Sequence, residues 1–280
     1  MQLSGAPPKI VEAFAVNAAP SGGYGGKRTV PVPSQTGITP GAASYNDGFP
    51  PLTMTPLTGG GVVMSGLDMN GILNEATAVD WWMSAGAGFP FDGTFATAVG
   101  GYPKGSRLLM ASGNGYWLSI IDNNSNNPDT GGAGWIPDRA VASVYASGTQ
   151  VLASGNSKVL WNSVEFDAFG LWDSGNDRFK ALWAGKYCIS GSIYIPAGAA
   201  PANIGAMVYQ NGTLAKFCNQ FPAISDQPLS YSFDAIIQCA VNDHLEAFVN
   251  NGNAASINAG PLIGSSQAFV YGQLQYLGAN

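Results

Sequence analysis

Apolar and polar positions alternate with a period of two over short segments in the last third of the chain. These are Val159 to Phe166, Phe179 to Leu182, Gly185 to Ile195, Ala206 to Gln210, Thr213 to Phe217, Leu229 to Cys239, His244 to Asn250 and Gln267 to Tyr276. Short segments in close succession, punctuated by Gly, Pro and Asn and with little helical periodicity, predict an antiparallel β-sandwich. The alternation is clearest where Ser190, Ser192 and Tyr194 oppose Ile189, Ile193 and Ile195, broken only by Gly191, as in a half-buried strand. Asn211-Gly212 is a tight-turn signal, because both residues tolerate positive φ.

A period near 3.6 occurs once. Met69, Ile72, Leu73, Ala76, Val79 and Met83 recur at spacings of three and four and predict one apolar face of a helix. Ser65 or Asp68 caps its start, and Gly86 and Gly88 end it. Glu75 and Trp82 flank the stripe, and Asp80 lies elsewhere on the surface. Two arrangements fit: the stripe packs on its own small domain, or three copies form a short parallel bundle.

Before the helix the chain is interrupted by Pro7-Pro8, Pro20, Pro31, Pro33, Pro40, Pro50-Pro51 and Pro56, which leaves no room for another long helix. Ile10 to Val16 and Thr29 to Val32 read as edge strands. Phe49, Leu52, Met54 and Leu57 read as anchors of an extended arm that wraps copies of itself or docks on a larger assembly. After the helix, Phe89-Pro-Phe91, Ala98 to Lys104, a β-like run from Arg107 to Ile121, a polar turn from Asp122 to Asp129 and Gly131 to Pro137 describe a small β module, with Trp117 and Trp135 as its core. The expected divisions are an arm over 1–62, the helix and β module over 63–139, a small-residue linker over 140–156 and a head over 157–280.

Composition narrows the possibilities. Only 10% of the 280 residues are charged, while 7 Trp, 11 Tyr and 13 Phe are enough to fill a core or cover an interface, which argues against disorder. A net charge of -6 with 11 scattered Lys and Arg argues against a nucleic-acid partner. The first residues lack the pattern of a secretory leader and no segment is apolar enough to insert in a membrane, so assembly in a cytoplasm is expected. Cys188, Cys218 and Cys239 are odd in number and lack CxxC spacing, and read as buried free thiols.

Gly37 to Leu57, Gly66-Leu-Asp-Met-Asn-Gly71, Tyr102-Pro-Lys-Gly105, Tyr116-Trp-Leu through Asp122-Asn-Asn, and Gly134-Trp-Ile-Pro137 together resemble the N-terminal module of tail fibre proteins of tailed bacteriophages and prophages. That resemblance implies a homotrimer attached to a virion tail or baseplate and assembled in a host bacterial cytoplasm. The end of the chain resembles the trimeric jelly-roll heads of the tumour necrosis factor and complement type. Phe179 to Tyr187, Val208-Tyr-Gln-Asn-Gly212, Val241 to Phe248 and Phe269-Val-Tyr-Gly-Gln-Leu274 carry it, although Asn242 stands where that family more often has Gly. The fold class expected is therefore mainly β: an extended arm, a short trimerising helix with a small β module, and an antiparallel jelly-roll head in a homotrimer.

Chemistry is sparse. The single histidine, His244, has Asp243 beside it and Glu246 two residues on, and reads as structural. The cysteines have no second histidine to serve them, and no serine sits in a nucleophile elbow. Asp167, Asp173 and Asp177 are the carboxylates a glycan-cleaving enzyme would pair, but they flank Gly170, Trp172 and Gly175, where Asp makes turns. No catalytic residue, metal ligand or cofactor is expected. Recognition of a sugar uses aromatic faces with amide and carboxylate partners. Trp161, Trp172, Asp173, Asn176 and Asp177 form the first candidate receptor-binding cluster, and Asn250, Asn251, Asn253 and Asn258 the second. Each Trp is equally suited to a core and each Asn to a turn. Trimer contacts are expected from the helix stripe and from Phe269, Tyr271 and Tyr276 on the last strand. The leading expectation is a tail fibre whose head attaches the virion to a bacterial surface glycan, such as lipopolysaccharide, or a surface protein. The alternative is a structural tail protein whose jelly roll only trimerises or docks other tail subunits. Glycan depolymerase is a third, lacking the repeated short strands of a β-helix.

Overall fold

The structure is a computed structural model that describes residues 9–19, 26–196, 203–222, 228–260 and 270–279. It divides into two compact units, Met1–Phe89 and Pro90–Asn280.

The first unit is built on α1, Gly66–Ser84. Ser65, in extended backbone, is its N-cap and accepts a hydrogen bond from the Asp68 amide at 3.3 Å, which settles the choice between Ser65 and Asp68. Asp68 instead is fully buried one turn in. Its carboxylate takes Arg28 Nη2 at 2.6 Å and the Ala43 amide at 2.6 Å. Backbone bonds from Arg28 to Leu67 and from Ser65 to Gly41, and the amide of Asn70 on the Gly26 carbonyl, lay the arm along the first turns of the helix. Phe14 donates to Thr77 and accepts from Asn74, and Tyr45 bonds Glu75. The arm is thus held along its own helix. The residues expected as edge strands, Ile10 to Val16 and Thr29 to Val32, form no strand. Phe14 bonds α1 instead, and the carbonyls of Pro31 and Val32 accept from the amides of Tyr45 and Asn46.

These contacts cover the polar side of the helix. Its buried residues are Asp68 and Gly71, whereas Leu73, Val79 and Met83 of the apolar stripe are exposed.

The second unit opens with a second, short helix that the sequence reading missed, α2, Gly93–Val99. Asp92 caps it through the amides of Thr94 and Phe95, and Gly100 ends it. Strands β1 (Arg107–Leu109), β2 (Tyr116–Ser119) and β3 (Trp135–Pro137) form a small antiparallel sheet. Trp117 and Trp135 sit in its core with Ala96, Tyr102, Leu108 and Met110. Their indole N–H groups go to Asp129 Oδ1 and the Asn126 carbonyl, each at 2.8 Å, so neither ring leaves a buried donor unmade.

The remaining strands are β4 (Ala140–Tyr145), β5 (Gln150–Leu152), β6 (Gly155–Lys158), β7 (Ser163–Asp167), β8 (Trp172–Asp173), β9 (Arg178–Lys180) and β10 (Gly185–Ile195). They are followed by β11 (Asn203–Gln210), β12 (Thr213–Pro222), β13 (Leu229–Cys239), β14 (His244–Asn251), β15 (Ile257–Ala259) and β16 (Tyr271–Gly278). One sheet has the order β13-β10-β16-β4-β7 and the other β12-β11-β14-β9-β8, with β6 also on β14 and a separate β5-β15 ladder. Every named strand pair is antiparallel, and the two sheets enclose one core in a jelly-roll sandwich. Strict alternation along β13 buries Tyr231, Phe233, Ala235, Ile237 and Cys239 on one side. Asn211 and Gly212 both take positive φ, 53° and 77°, in the β11–β12 turn, as their sequence predicts.

Two expected divisions change. Residues 140–156 are no linker: β4 lies between β16 and β7, with Ala140, Ala142 and Val144 in the core. Their side chains are small because Ala140 and Ala142 lie opposite Tyr276 and Leu274 on β16. The helix and the small β module, expected together over 63–139, fall in different units. Phe169 and Trp183 pack against both the module core and the sandwich core and join the module to the head.

Candidate functional site

The first predicted cluster falls on the β8–β9 hairpin, where Trp172 pairs with Phe179 and Asp173 with Arg178. Asp173 Oδ2 accepts from Asn176 Nδ2 and from Arg178 Nε, both at 2.9 Å. The bond from Asn176 and the adjacent guanidinium hold its carboxyl below the usual carboxylate range. Asn176 is exposed at the turn, and its carbonyl accepts from Lys158 Nζ at 2.6 Å. Lys158 also pairs with Glu246 at 2.6 Å, which ties the hairpin to β6 and β14. Asp177, at φ 46°, borders an open hollow of about 240 Å3 with Gly148, Thr149, Gln150, Leu160 and Asn162. The hairpin therefore presents a fixed set of amide, carboxylate and ammonium groups at the surface.

Trp161 does not belong to it. Only 1% of its surface is exposed, and its ring packs on Trp172 and Phe179 at centroid distances of 5.9 and 5.7 Å. It is a core residue, which corrects its assignment to receptor binding. Trp172 is half-buried in the same stack, 5.0 Å from Phe179.

The second cluster divides in the same way. Asn250 is half-buried and donates to Asn156 at 2.7 Å, while Asn156 donates to the Tyr209 hydroxyl at 3.0 Å. Tyr209 lies on Phe248, with centroids 4.2 Å apart, so a polar strip with an aromatic pair runs across β6, β14 and β11. Asn258 is exposed on β15. Asn251 and Asn253 are corrected to structural roles, with exposures of 1% and 4%. Asn251 Nδ2 donates to the carbonyls of Leu152, Ala153 and Ala255, and its Oδ1 accepts from Asn253 N and Nδ2, bracing the turn after β14 from beneath.

Among the trimer candidates, Met69 and Ile72 are half-buried and Leu73, Ala76, Val79 and Met83 are exposed along α1. Tyr271 is exposed on the outer side of β16. Tyr276 is not available for such contacts. It is 1% exposed and packed on Tyr187 and Trp183 at 5.0 and 5.6 Å, because the alternation of β16 turns residue 276 inward. Phe269 lies outside the described residues.

Asp167 spends both carboxylate oxygens on the amides of Gly170, Leu171 and Trp172, and so makes a turn. At the start of β14, the Asp243 carboxylate binds Asn211, Gln210 and the Ala240 amide. Among the described residues, no three of His, Cys, Asp and Glu lie together where they could hold a metal ion. None of the described helices is long and apolar enough to cross a membrane. The residues that sequence reasoning missed are Lys158 and Glu246, which fix the hairpin. They are 88 positions apart and carry no local pattern.

No family model matches the chain. Over 140 residues it is 32% identical to the Phage-like element PBSX protein XkdV of Bacillus subtilis (strain 168), a match covering 46% of this chain and 20% of that protein. The chain thus spans about a fifth of its curated relative. Among solved structures it is similar to Eiger TNF from S. frugiperda (TM-score 0.36, 13% identity, 51% of this chain and 95% of that one). It is also similar to murine APRIL at pH 5.0 (0.39, 13%, 50% and 99%) and to the globular domain of zebrafish complement 1qA protein (0.36, 13%, 51% and 99%). At that level of likeness the jelly-roll assignment rests on the strand order itself, and the chain's measured kinship is its partial similarity to a phage-element protein.

Proposed function

We propose that this chain is a structural protein of a phage tail, a homotrimeric tail fibre whose jelly-roll head attaches the virion to a bacterial surface glycan or surface protein. The observation that carries the reading is that one chain joins similarity to a phage-element protein with a sandwich that holds a rigid polar hairpin open to solvent. The N-terminal region is the part proposed to meet the tail or baseplate, with assembly in the host cytoplasm. Self-association is supported by α1, where Leu73, Ala76, Val79 and Met83 of the apolar stripe are exposed while Asp68 and Gly71 are buried against the arm. A trimer would place three weak sites at one end, where multivalency strengthens attachment without new contacts. The chemistry proposed is recognition without turnover, in keeping with the use of Asp167 and Asp173 in turn and hairpin bonds.

The test is adhesion of the intact, fluorescently labelled protein to host bacteria, with its mass measured by light scattering. A trimer that adheres, and that loses adhesion when Asp173 and Asn176 are replaced by Ala, supports the reading. A monomeric mass or a trimer that never adheres overturns it. The second reading, a tail protein that only trimerises or docks other subunits, is favoured by one observation: Trp161, Asn251 and Asn253 serve the fold and offer nothing to a receptor.

A further inference from the structure

A large hollow lies away from the hairpin. It is an open cleft of about 890 Å3 between the small β module and the flank of the sandwich, within the second unit. Ligand sites span about 300–1,000 Å3 and pair apolar walls with a few placed polar groups. Trp117 stands on the module side, and Phe166, Phe169 and Trp183 on the sandwich side. Trp117 meets Phe169 edge-on at 6.1 Å and 87°, and Phe169 meets Trp183 at 5.7 Å and 81°. Trp183 is backed by Tyr276 at 5.6 Å, and its amide and carbonyl both bond the Tyr187 hydroxyl. The rings form a continuous braced wall, so little ordering remains to be done when a ligand arrives. Phe166 lines the cleft and is 47% exposed.

The polar groups are equally defined. Asp129 Oδ1 accepts the Trp117 indole N–H at 2.8 Å and the Ala111 amide at 3.1 Å, which fixes the carboxylate at the edge of the aromatic wall. Arg139 lines the same cleft and is exposed. One anion and one cation balance, so the lining does not select a charged ligand. Flat aromatic faces beside a fixed carboxylate and a guanidinium match a molecule with C–H faces and hydroxyl edges.

We infer that this cleft is a second binding site, for a neutral oligosaccharide, whose pyranose faces lie on Phe166 and Trp183 and whose hydroxyls bond Asp129 and Arg139. The inference rests on the adhesion reading only for the source of the sugar.

The test uses the full chain and its intrinsic tryptophan fluorescence, titrated with a panel of neutral di- and trisaccharides built from glucose, galactose and N-acetylglucosamine. At least one is expected to perturb the emission saturably, with Phe166→Ala and Arg139→Ala each weakening it about tenfold, the scale of one lost ring or charge-assisted contact. Unchanged thermal melting of both variants keeps the comparison free of folding effects, since both side chains are exposed. Failure of every member at millimolar concentration, or binding indifferent to both substitutions, overturns the inference. Footprinting that finds Phe166 protected without sugar also overturns it, because a second copy would then fill the cleft. Saccharide binding with no adhesion to cells upholds the cleft and sinks the adhesion reading. Adhesion that is intact in both variants while no saccharide binds does the reverse.

Discussion

Gly272 passes directly beneath the indole of Trp161: a methyl group on Gly272 would lie 2.5 Å from Trp161 Cζ2, inside any tolerable contact. The bare backbone of β16 is what lets the largest side chain of the core lie flat between the sheets. Gly272→Ala is expected to force the ring aside and destabilise the head by about 1–3 kcal/mol, the usual cost of overpacking. Trp161→Ala leaves a cavity and costs about 3–5 kcal/mol. Thermal unfolding checks both. A Gly272→Ala protein as stable as the parent would show that the indole has room to move.

The Arg28–Asp68 pair anchors the first unit. Asp68 is fully buried, and its removal strands Arg28 and the Ala43 amide together. Asp68→Ala is expected to cost about 3 kcal/mol, the lower end for breaking a buried pair because Arg28 keeps part of its hydration. Hydrogen exchange should show faster opening of residues 26–48 and of the first turn of α1, with the sandwich strands unchanged. Equal exchange in both proteins would remove the anchoring role.

Acid should loosen the head through two carboxylates. Burial alone would raise the Asp243 carboxyl, but bonds from Asn211, Ala240 N and Gln210, with His244 adjacent, together outweigh it and hold it low. Asp173 is held low by Asn176 and Arg178. A carboxyl depressed in the folded state adds stability that is present above its unfolded value, about 3.9, and is lost as pH falls through the folded value. Unfolding midpoints should therefore be level at neutral pH and fall below about pH 4. Asp243→Asn should flatten that fall. An acid limb identical in the variant would assign it elsewhere.

Cysteine chemistry should be slow. Burial raises the thiols of Cys188 and Cys218, with Asp234 adding to both, and pushes Cys239 up to about 12. The thiolate is the attacking form, so at pH 8 a disulfide reagent should titrate Cys188 and Cys218 slowly and Cys239 only after unfolding. Rapid reaction of all three in the folded protein would contradict the burial of Cys239 on the inner side of β13.

These residues also show what the sequence discloses. β13 and β14 were legible because large apolar side chains alternate with polar ones, and a two-residue period has one structural meaning. β4 was not, because Ala140 and Ala142 are small to admit Tyr276 and Leu274 from a strand more than a hundred residues away. Trp161 and Trp172 look alike in a loop-like stretch, and Gly272 decides which one is inside. Asn251 and Asn253 share the composition of a sugar-binding loop, yet both are buried and their amides brace a turn. The hairpin that survives as a candidate site was legible in Trp172, Asp173 and Asn176, while its brace, Lys158 with Glu246, depends on tertiary pairing.

The stripe on α1 offers the most direct test of assembly. Met83 is 61% exposed and Val79 46%, one turn apart and on the same face as Leu73 and Ala76. Alone in water such a face gains nothing, whereas each large apolar side chain buried between copies is worth about 1.5–3 kcal/mol. A glutamate there costs little in a single chain, since the site is already solvated. In a bundle, three copies of that charge would meet at the axis, where opposed like charges are strongly unfavourable. Val79→Glu with Met83→Glu is therefore expected to leave the circular dichroism and melting of the sandwich intact while lowering the mass in light scattering from trimer toward monomer. If the double variant keeps the parent mass, the helix is not what holds the copies together, and the exposed side of β16 at Tyr271 becomes the surface to alter next.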